Sequence, residues 1–270
     1  MTSPSVPADS RPALRTAKFV VFSNPRSGST WLATTLGLLD DVSVDYEIKW
    51  DIGYAPSALH VVLDAQDDTL SHLLDRMATD APVAGSKFVF DLHRRAPIDL
   101  DDLAARLGDD VRVVHLTRRY RDVFLSVRRG FYHAPARMDG VGARLRDALA
   151  DADVRHSQPE GPKAVPAVTC LQELSELLAN DIRARSLRAL GCPYLQVSYE
   201  DIGERLAEIA AFAGSRATRA NIADVLLHPA VTKLPDVDPS SLVSNMRELA
   251  PLFDAFESLR QRLVIDHARR

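Results

Sequence analysis

The chain has 270 residues, 46% of them hydrophobic and 26% charged, with only 12 Gly and 16 Pro, a composition that excludes collagen-like, low-complexity and wholly disordered chains. A chain this long buries roughly three quarters of the surface its unfolded form exposes, so it needs no disulfide or metal staple. The 33 Lys and Arg against 37 Asp and Glu leave a net charge of −4. That balance argues against a nucleic-acid partner but leaves room for a local anion site.

The basic residues divide into 28 Arg and 5 Lys, a bias that, with abundant Ala, fits a GC-rich bacterial genome. Cys170 and Cys192 stand alone without a C-x-x-C, and the eight His contain no H-E-x-x-H. Neither a disulfide framework nor a structural metal is expected. Residues 1–17 are Pro- and Ser-rich without an apolar core and read as a flexible tail ahead of a single domain over 18–270. No stretch of about 18 apolar residues is present to span a membrane, and a cytoplasmic protein is expected.

In chain order, Lys18 to Ser23 is a short apolar run stopped by Asn24-Pro25 and predicts a buried strand. Thr30 to Leu39 has helical spacing. Further strands are predicted at Val42 to Glu47, Ser86 to Asp91, Val111 to Thr117 and Tyr194 to Tyr199. Helices are predicted at Asp68 to Ala78, at Leu100 to Leu107 between Asp99 and Gly108, at Tyr120 to Arg129 and at Val168 to Leu190. The final 70 residues read as mostly helical, with Ser240 or Ser241 and Pro251 as helix starts. Five short apolar strands alternating with helices imply an α/β domain with a parallel sheet covered on both faces. Residues 133–166 break this rhythm with Pro, Gly, Asp and Arg, and read either as a lid or substrate loop or as a surface insertion.

The densest chemical signal lies between the first strand and the first helix: Ser23-Asn24-Pro25-Arg26-Ser27-Gly28-Ser29-Thr30-Trp31-Leu32. A helix N-terminus presents unpaired N–H groups and the positive end of the dipole to an anion. Gly28 allows close backbone approach, Ser27, Ser29 and Thr30 add hydroxyl donors, and Arg26 adds a permanent charge. An ordinary strand-to-helix turn would explain Pro25, Gly28 and Thr30, but not Arg beside three hydroxyl residues. The nucleoside-triphosphatase motif G-x-x-x-x-G-K-[ST] is absent, because position 23 is Ser and Gly28 is followed by Ser29.

The run P-R-S-G-S-T-W-L resembles the 5′-phosphosulfate loop of sulfotransferases that use 3′-phosphoadenosine 5′-phosphosulfate (PAPS). Its Arg26, where cytosolic members usually carry Lys, is similar to the tyrosylprotein and bacterial carbohydrate branches. The stretch Val113 to Ser126 resembles the 3′-phosphate motif of that superfamily: an apolar strand, Arg118 at its end, and Ser126 on the next helix. Asp122-Val123 agrees with the motif, whereas Arg119 and Tyr120 depart from the common Asn-Pro. Val197-Ser198-Tyr199-Glu200-Asp201-Ile202 resembles the segment after the last strand whose tyrosine lies near the adenine. The C-terminal Arg-Lys-Gly loop of cytosolic members has no clear counterpart; Lys233, Ser240 and Ser241 are the nearest substitutes.

The resemblance covers roughly residues 18 to 215 and implies a nucleotide-kinase-like sulfotransferase fold. It implies PAPS as sulfuryl donor, 3′-phosphoadenosine 5′-phosphate (PAP) as product, no metal, and a hydroxyl of a carbohydrate or other small molecule as acceptor. The nucleotide contacts so implied are Arg26, Ser27, Gly28, Ser29, Thr30, Trp31, Arg118, Ser126 and Tyr199. Arg26 would also steady the departing bridging oxygen. Two residues compete to be the base that takes the acceptor proton. Glu47 ends the second predicted strand, as in the tyrosylprotein and trehalose-type branches, and His93 follows the third, much as in cytosolic members. Glu47 is preferred because the Arg-type loop keeps company with a Glu base. The rival readings are a catalytically silent nucleotide-binding protein and a small-molecule kinase.

Overall fold

The computed structural model describes residues 16–45, 48–50, 61–63, 77, 80–89, 100–129, 162–229 and 237–268. Five strands form one sheet: β1 (Ala17–Ser23), β2 (Val42–Asp45), β5 (Val83–Val89), β6 (Val111–Thr117) and β7 (Tyr194–Ser198), in the order β2-β5-β1-β6-β7. Every neighbouring pair is parallel. Two short strands, β3 (Ile48–Trp50) and β4 (Val61–Leu63), pair separately in parallel. The helices are α1 (Ser29–Leu36), α2 (Leu100–Leu107), α3 (Tyr120–Arg129), α4 (Ala167–Ala189), α5 (Ile202–Ala213), α6 (Arg219–Leu227) and α7 (Met246–Ala268).

Alternation along the strands decides which helix covers which face. On β1, Phe19 and Val21 point into a cluster with Trp31, Leu32 and Leu36 of α1, Leu206 and Ile209 of α5, and Ile222 of α6. Val20 and Phe22 point the other way, against Leu103 and Leu107 of α2 and Ala184 and Leu187 of α4. A third cluster joins α3, α4 and α7 through Phe124, Leu174, Leu177, Leu249 and Phe253. Phe19 crosses its register partner Gly85 so closely that a Cβ there would lie 2.1 Å from the ring. The sheet therefore needs glycine at that point.

The five predicted sheet strands are all present, with shifted ends: β5 begins three residues before the predicted Ser86, and β7 stops at Ser198. α2 and α3 match their predicted ranges. The helix predicted over 68–78, apart from Met77, and positions 46–47, 90–99 and 130–161 lie outside the described residues. Pro251 does not start a helix; it lies inside α7, which opens at Met246. As the sixth residue of that helix it lies beyond the first turn, and its ring replaces the N–H that would bond the Arg247 carbonyl. Ser240 and Ser241 form a single 3₁₀ turn, and their hydroxyls bond to Asp238 Oδ2 and to the Asp238 carbonyl, both at 2.7 Å. Among the described residues, no helix is long and apolar enough to cross a membrane.

Candidate active site

The register brings the three sequence motifs to one edge. Ser23 is level with Val89 on one side and Leu116 on the other, and Thr117 is level with Ser198. The chain leaving β1 and the chain leaving β6 therefore emerge side by side. The sheet order also reverses there: from β1 the chain runs outward to β2 and returns through β5, whereas β6 leads outward to β7. Open parallel sheets bind ligands at the carboxyl ends of their strands beside such a switch point.

The loop after β1 adopts a conformation that ordinary turns avoid. Arg26 has φ 62°, the one positive-φ non-glycine among the described residues, and Gly28 has φ 89°. A left-handed non-glycine residue costs on the order of 1–3 kcal/mol and marks a constrained site. The bend sends Arg26 Nε to Ser126 Oγ at 3.2 Å, while the Arg26 carbonyl accepts from Arg118 Nη1 at 3.0 Å. The Arg118 guanidinium lies 4.5 Å from the centre of the Tyr199 ring. Tyr199 in turn covers Gly28. Arg26, Gly28, Arg118, Ser126 and Tyr199 thus form one contact set.

Gly28 caps α1 without a side-chain hydrogen bond, and no acidic residue stands in the first turn of that helix. Ser27 is 1% exposed, yet its hydroxyl has no hydrogen-bond partner among the described residues; Arg118 Nε is likewise buried without one. Buried polar atoms are nearly always satisfied. Two such orphans around the 24–28 loop fit bound anionic groups that would complete their bonding. Ser29 and Trp31 are buried, and Thr30 faces a cation absent from the sequence reading. Lys87 on β5 is 3% exposed and donates through Nζ to Thr30 Oγ1 at 2.8 Å. It shares the register position of Val21 and so points toward the α1 face. A lysine amid an apolar strand, in a chain with 28 Arg and only 5 Lys, was the available signal.

A second group that the motifs did not indicate lies beneath the loop: Asn24, His115, Tyr120, Asn180 and Asp181 are all buried. Asn24 Nδ2 donates to Asp181 Oδ1 at 2.9 Å. Outside this group, Arg119 is exposed and pairs with Asp122 at 2.9 Å. Glu200 is partly buried, which raises its carboxyl pKa, but bonds from the Ser198 hydroxyl and nearby backbone, together with the Arg119 charge, bring it below its ordinary value. Glu47 and His93, the two candidate bases, lie outside the described residues. Among the described residues there is no cluster of His, Cys, Asp or Glu able to hold a metal ion.

No family model matches the chain, and no curated protein does. Among solved structures, the chain is similar to a sulfotransferase from Alicyclobacillus acidocaldarius at 15% identity and a TM-score of 0.49, over 95% of this chain and 99% of that one. A mouse sulfotransferase complexed with PAP matches at 12% identity and a TM-score of 0.42, over 84% and 70%. The sulfotransferase domain of the curacin biosynthetic pathway matches at 14% identity and 0.40, over 84% and 85%. At this level of superposition the likeness assigns neither an activity nor a substrate.

Proposed function

We propose that this chain is a PAPS-dependent sulfotransferase acting on a hydroxyl of a carbohydrate or other small-molecule acceptor. The observation that supports it most is the single contact set of Arg26, Gly28, Arg118, Ser126 and Tyr199 at the switch point, with Ser27 Oγ and Arg118 Nε left for an anion. Arg26 and Gly28 belong to the 5′-phosphosulfate motif, Arg118 and Ser126 to the 3′-phosphate motif, and Tyr199 to the segment after the last strand. When bound, PAPS supplies the sulfuryl group, which passes to the acceptor oxygen as its bond to the 5′-phosphate oxygen breaks.

In this reading the loop residues and the α1 N-terminus hold the 5′ anion, with Ser27, Ser29 and Thr30 as hydroxyl donors. Arg118 and Ser126 hold the 3′-phosphate, and the face of Tyr199 gives the adenine a surface to stack on. Arg26, and Lys87 through its position on Thr30, place positive charge where negative charge accumulates on the departing oxygen, the role such groups play in phosphoryl transfer. Glu47, with His93 as its rival, takes the acceptor proton.

The test is a thermal-shift comparison followed by a transfer assay. PAP should stabilise the full-length protein much more than ATP with magnesium does, and sulfate-labelled PAPS should label at least one member of a mixed panel of sugar, phenol and alcohol acceptors. Equal or larger stabilisation by ATP would overturn the sulfotransferase reading in favour of a kinase. PAP binding with no transfer to any acceptor would favour a silent nucleotide binder.

A further inference from the structure

Helix α4 presents a buried stripe that includes Cys170, Leu174, Leu177, Ala184 and Leu187, and Asp181 stands on it, 1% exposed. A carboxylate in such a place is costly unless its oxygens are fully engaged. They are. Oδ1 accepts from Asn24 Nδ2 at 2.9 Å and lies 3.3 Å from His115 Nε2, while Oδ2 accepts from Tyr120 Oη at 2.8 Å and lies 4.0 Å from Arg260 Nη1. Burial, reinforced by the Asp181 charge, raises the Tyr120 phenol far above its ordinary value, and burial does the same to Tyr194. Both phenols therefore stay protonated, and Tyr120 donates its proton to Asp181. Tyr194 Oη lies 2.6 Å from His115 Nδ1, so the imidazole bridges Tyr194 and Asp181 through its two ring nitrogens.

Two of these links lead directly to the candidate anion groups. Asn24 opens the loop after β1. Besides Asp181 it donates to the Leu177 carbonyl at 3.1 Å and accepts from Asn180 Nδ2 at 3.0 Å, so α4 grips it at three points. Arg260, from α7, donates through Nη1 to the Arg118 carbonyl at 2.9 Å. Its other nitrogen pairs with Glu257 at 2.5 Å, and Glu257 accepts from the Tyr120 N–H at 2.5 Å. Asp181 thus holds the start of one anion loop with one oxygen and the turn carrying the other anion group with its second.

We propose that Asp181 is a positioning residue that keeps the 24–28 loop and the Arg118 turn in fixed register, so that one buried carboxylate sets both halves of the anion site. The proposal rests on the nucleotide reading above for its ligand, though not for its geometry. An apolar residue could fill the same stripe, and buried charge networks are often replaceable without loss of stability. Such a residue could not hold Asn24 and the Tyr120–Arg260 pair at once.

The experiment uses the full chain and its Asp181→Asn variant, with PAP and adenosine 5′-monophosphate as titrants under conditions where circular dichroism shows both proteins folded. PAP, which engages both halves, should weaken by about tenfold to a hundredfold, and adenosine 5′-monophosphate, which engages only the 5′ half, should weaken by a smaller but measurable factor. An equal factor for the two would refute the hold on the Arg118 half. In the ligand-free protein, amide exchange should quicken in both the 24–30 and the 117–123 segments and stay unchanged in α5 and α6. A lower unfolding midpoint with unaltered affinities would reduce Asp181 to a packing residue, and loosening of only one segment would refute the coupling. Tyr120→Phe removes one donor to the same carboxylate while keeping the ring; it should give the same pattern more weakly, and it decides the matter if Asp181→Asn does not fold. If the unaltered protein binds neither nucleotide, the sulfotransferase reading falls, and the exchange comparison still judges Asp181.

Discussion

The ring of Tyr199 lies against Gly28 so closely that a Cβ built on the glycine would sit 2.3 Å from Cδ2 and Cε2 of the tyrosine. The same glycine has φ 89°, a left-handed conformation that side chains resist. Gly28→Ala must therefore shift the tyrosine, the loop or both. The expected cost is about 1–3 kcal/mol of stability, read from urea unfolding. Loss of PAP binding should exceed what that destabilisation explains. A variant that binds PAP normally would mean that Tyr199 swings aside freely and contributes nothing to the site.

Arg118 reaches the site in two ways, through its guanidinium on the Tyr199 face and through Nη1 on the Arg26 carbonyl. Arg118→Ala should remove about 1.5–3 kcal/mol of PAP affinity, the worth of a charged hydrogen bond to phosphate. Adenosine 5′-phosphosulfate, which lacks the 3′-phosphate, should lose far less. In Asp181→Asn, by contrast, a nucleotide without the 3′-phosphate should also lose affinity, because the 24–28 loop loosens as well. Equal losses for both nucleotides would assign Arg118 to support of the loop alone.

The two candidate bases are separable by rate. Glu47→Gln should leave PAP affinity intact and lower kcat by a factor of about 10²–10⁴. His93→Asn should give a milder defect. Single-turnover measurements with saturating PAPS keep product release from masking the chemical step. The reverse ranking would transfer the role to His93, and normal rates for both variants would discard both assignments.

Burial pushes the Cys170 thiol up to about 11, with Arg128 opposing and Glu173 adding to the effect. Burial also raises the Cys192 thiol. A folded-state value above the unfolded one favours the fold while the thiol is protonated. That contribution is complete below the ordinary value of 9.0 and is lost as pH rises through about 11. Stability in urea should therefore fall across this window, and less steeply in Cys170→Ala. Both thiols should resist a disulfide reagent at pH 8 until the chain unfolds. Fast labelling of the folded protein would refute the burial.

The five sheet strands and the strand-loop-helix setting of the first motif were legible because their signals are local: an apolar run, then turn residues, then a change of period. Arg26 and Gly28 could be singled out from the chemistry of their loop, and Arg118, Ser126 and Tyr199 only through the resemblance to sulfotransferase motifs. β3 and β4 were not foreseen, since three-residue strands carry too little periodicity to read. Pro251 misled because proline is common in a first helical turn, whereas here the packing of Met246, Leu249 and Phe253 against α3 and α4 accompanies one in the helix interior.

The sequence by itself determined the α/β class, the strand-loop-helix setting of the candidate anion loop and the order of the motifs along the chain, because those follow from neighbouring residues. Tertiary structure alone decided that Arg26 bends to meet Ser126, that Lys87 points toward Thr30, and that Asp181 lies beneath Asn24. The bond from Lys87 spans 57 residues and that from Asn24 spans 157. A polar side chain becomes a buried partner instead of a solvated one only when distant elements close around it, and no local pattern records that closure.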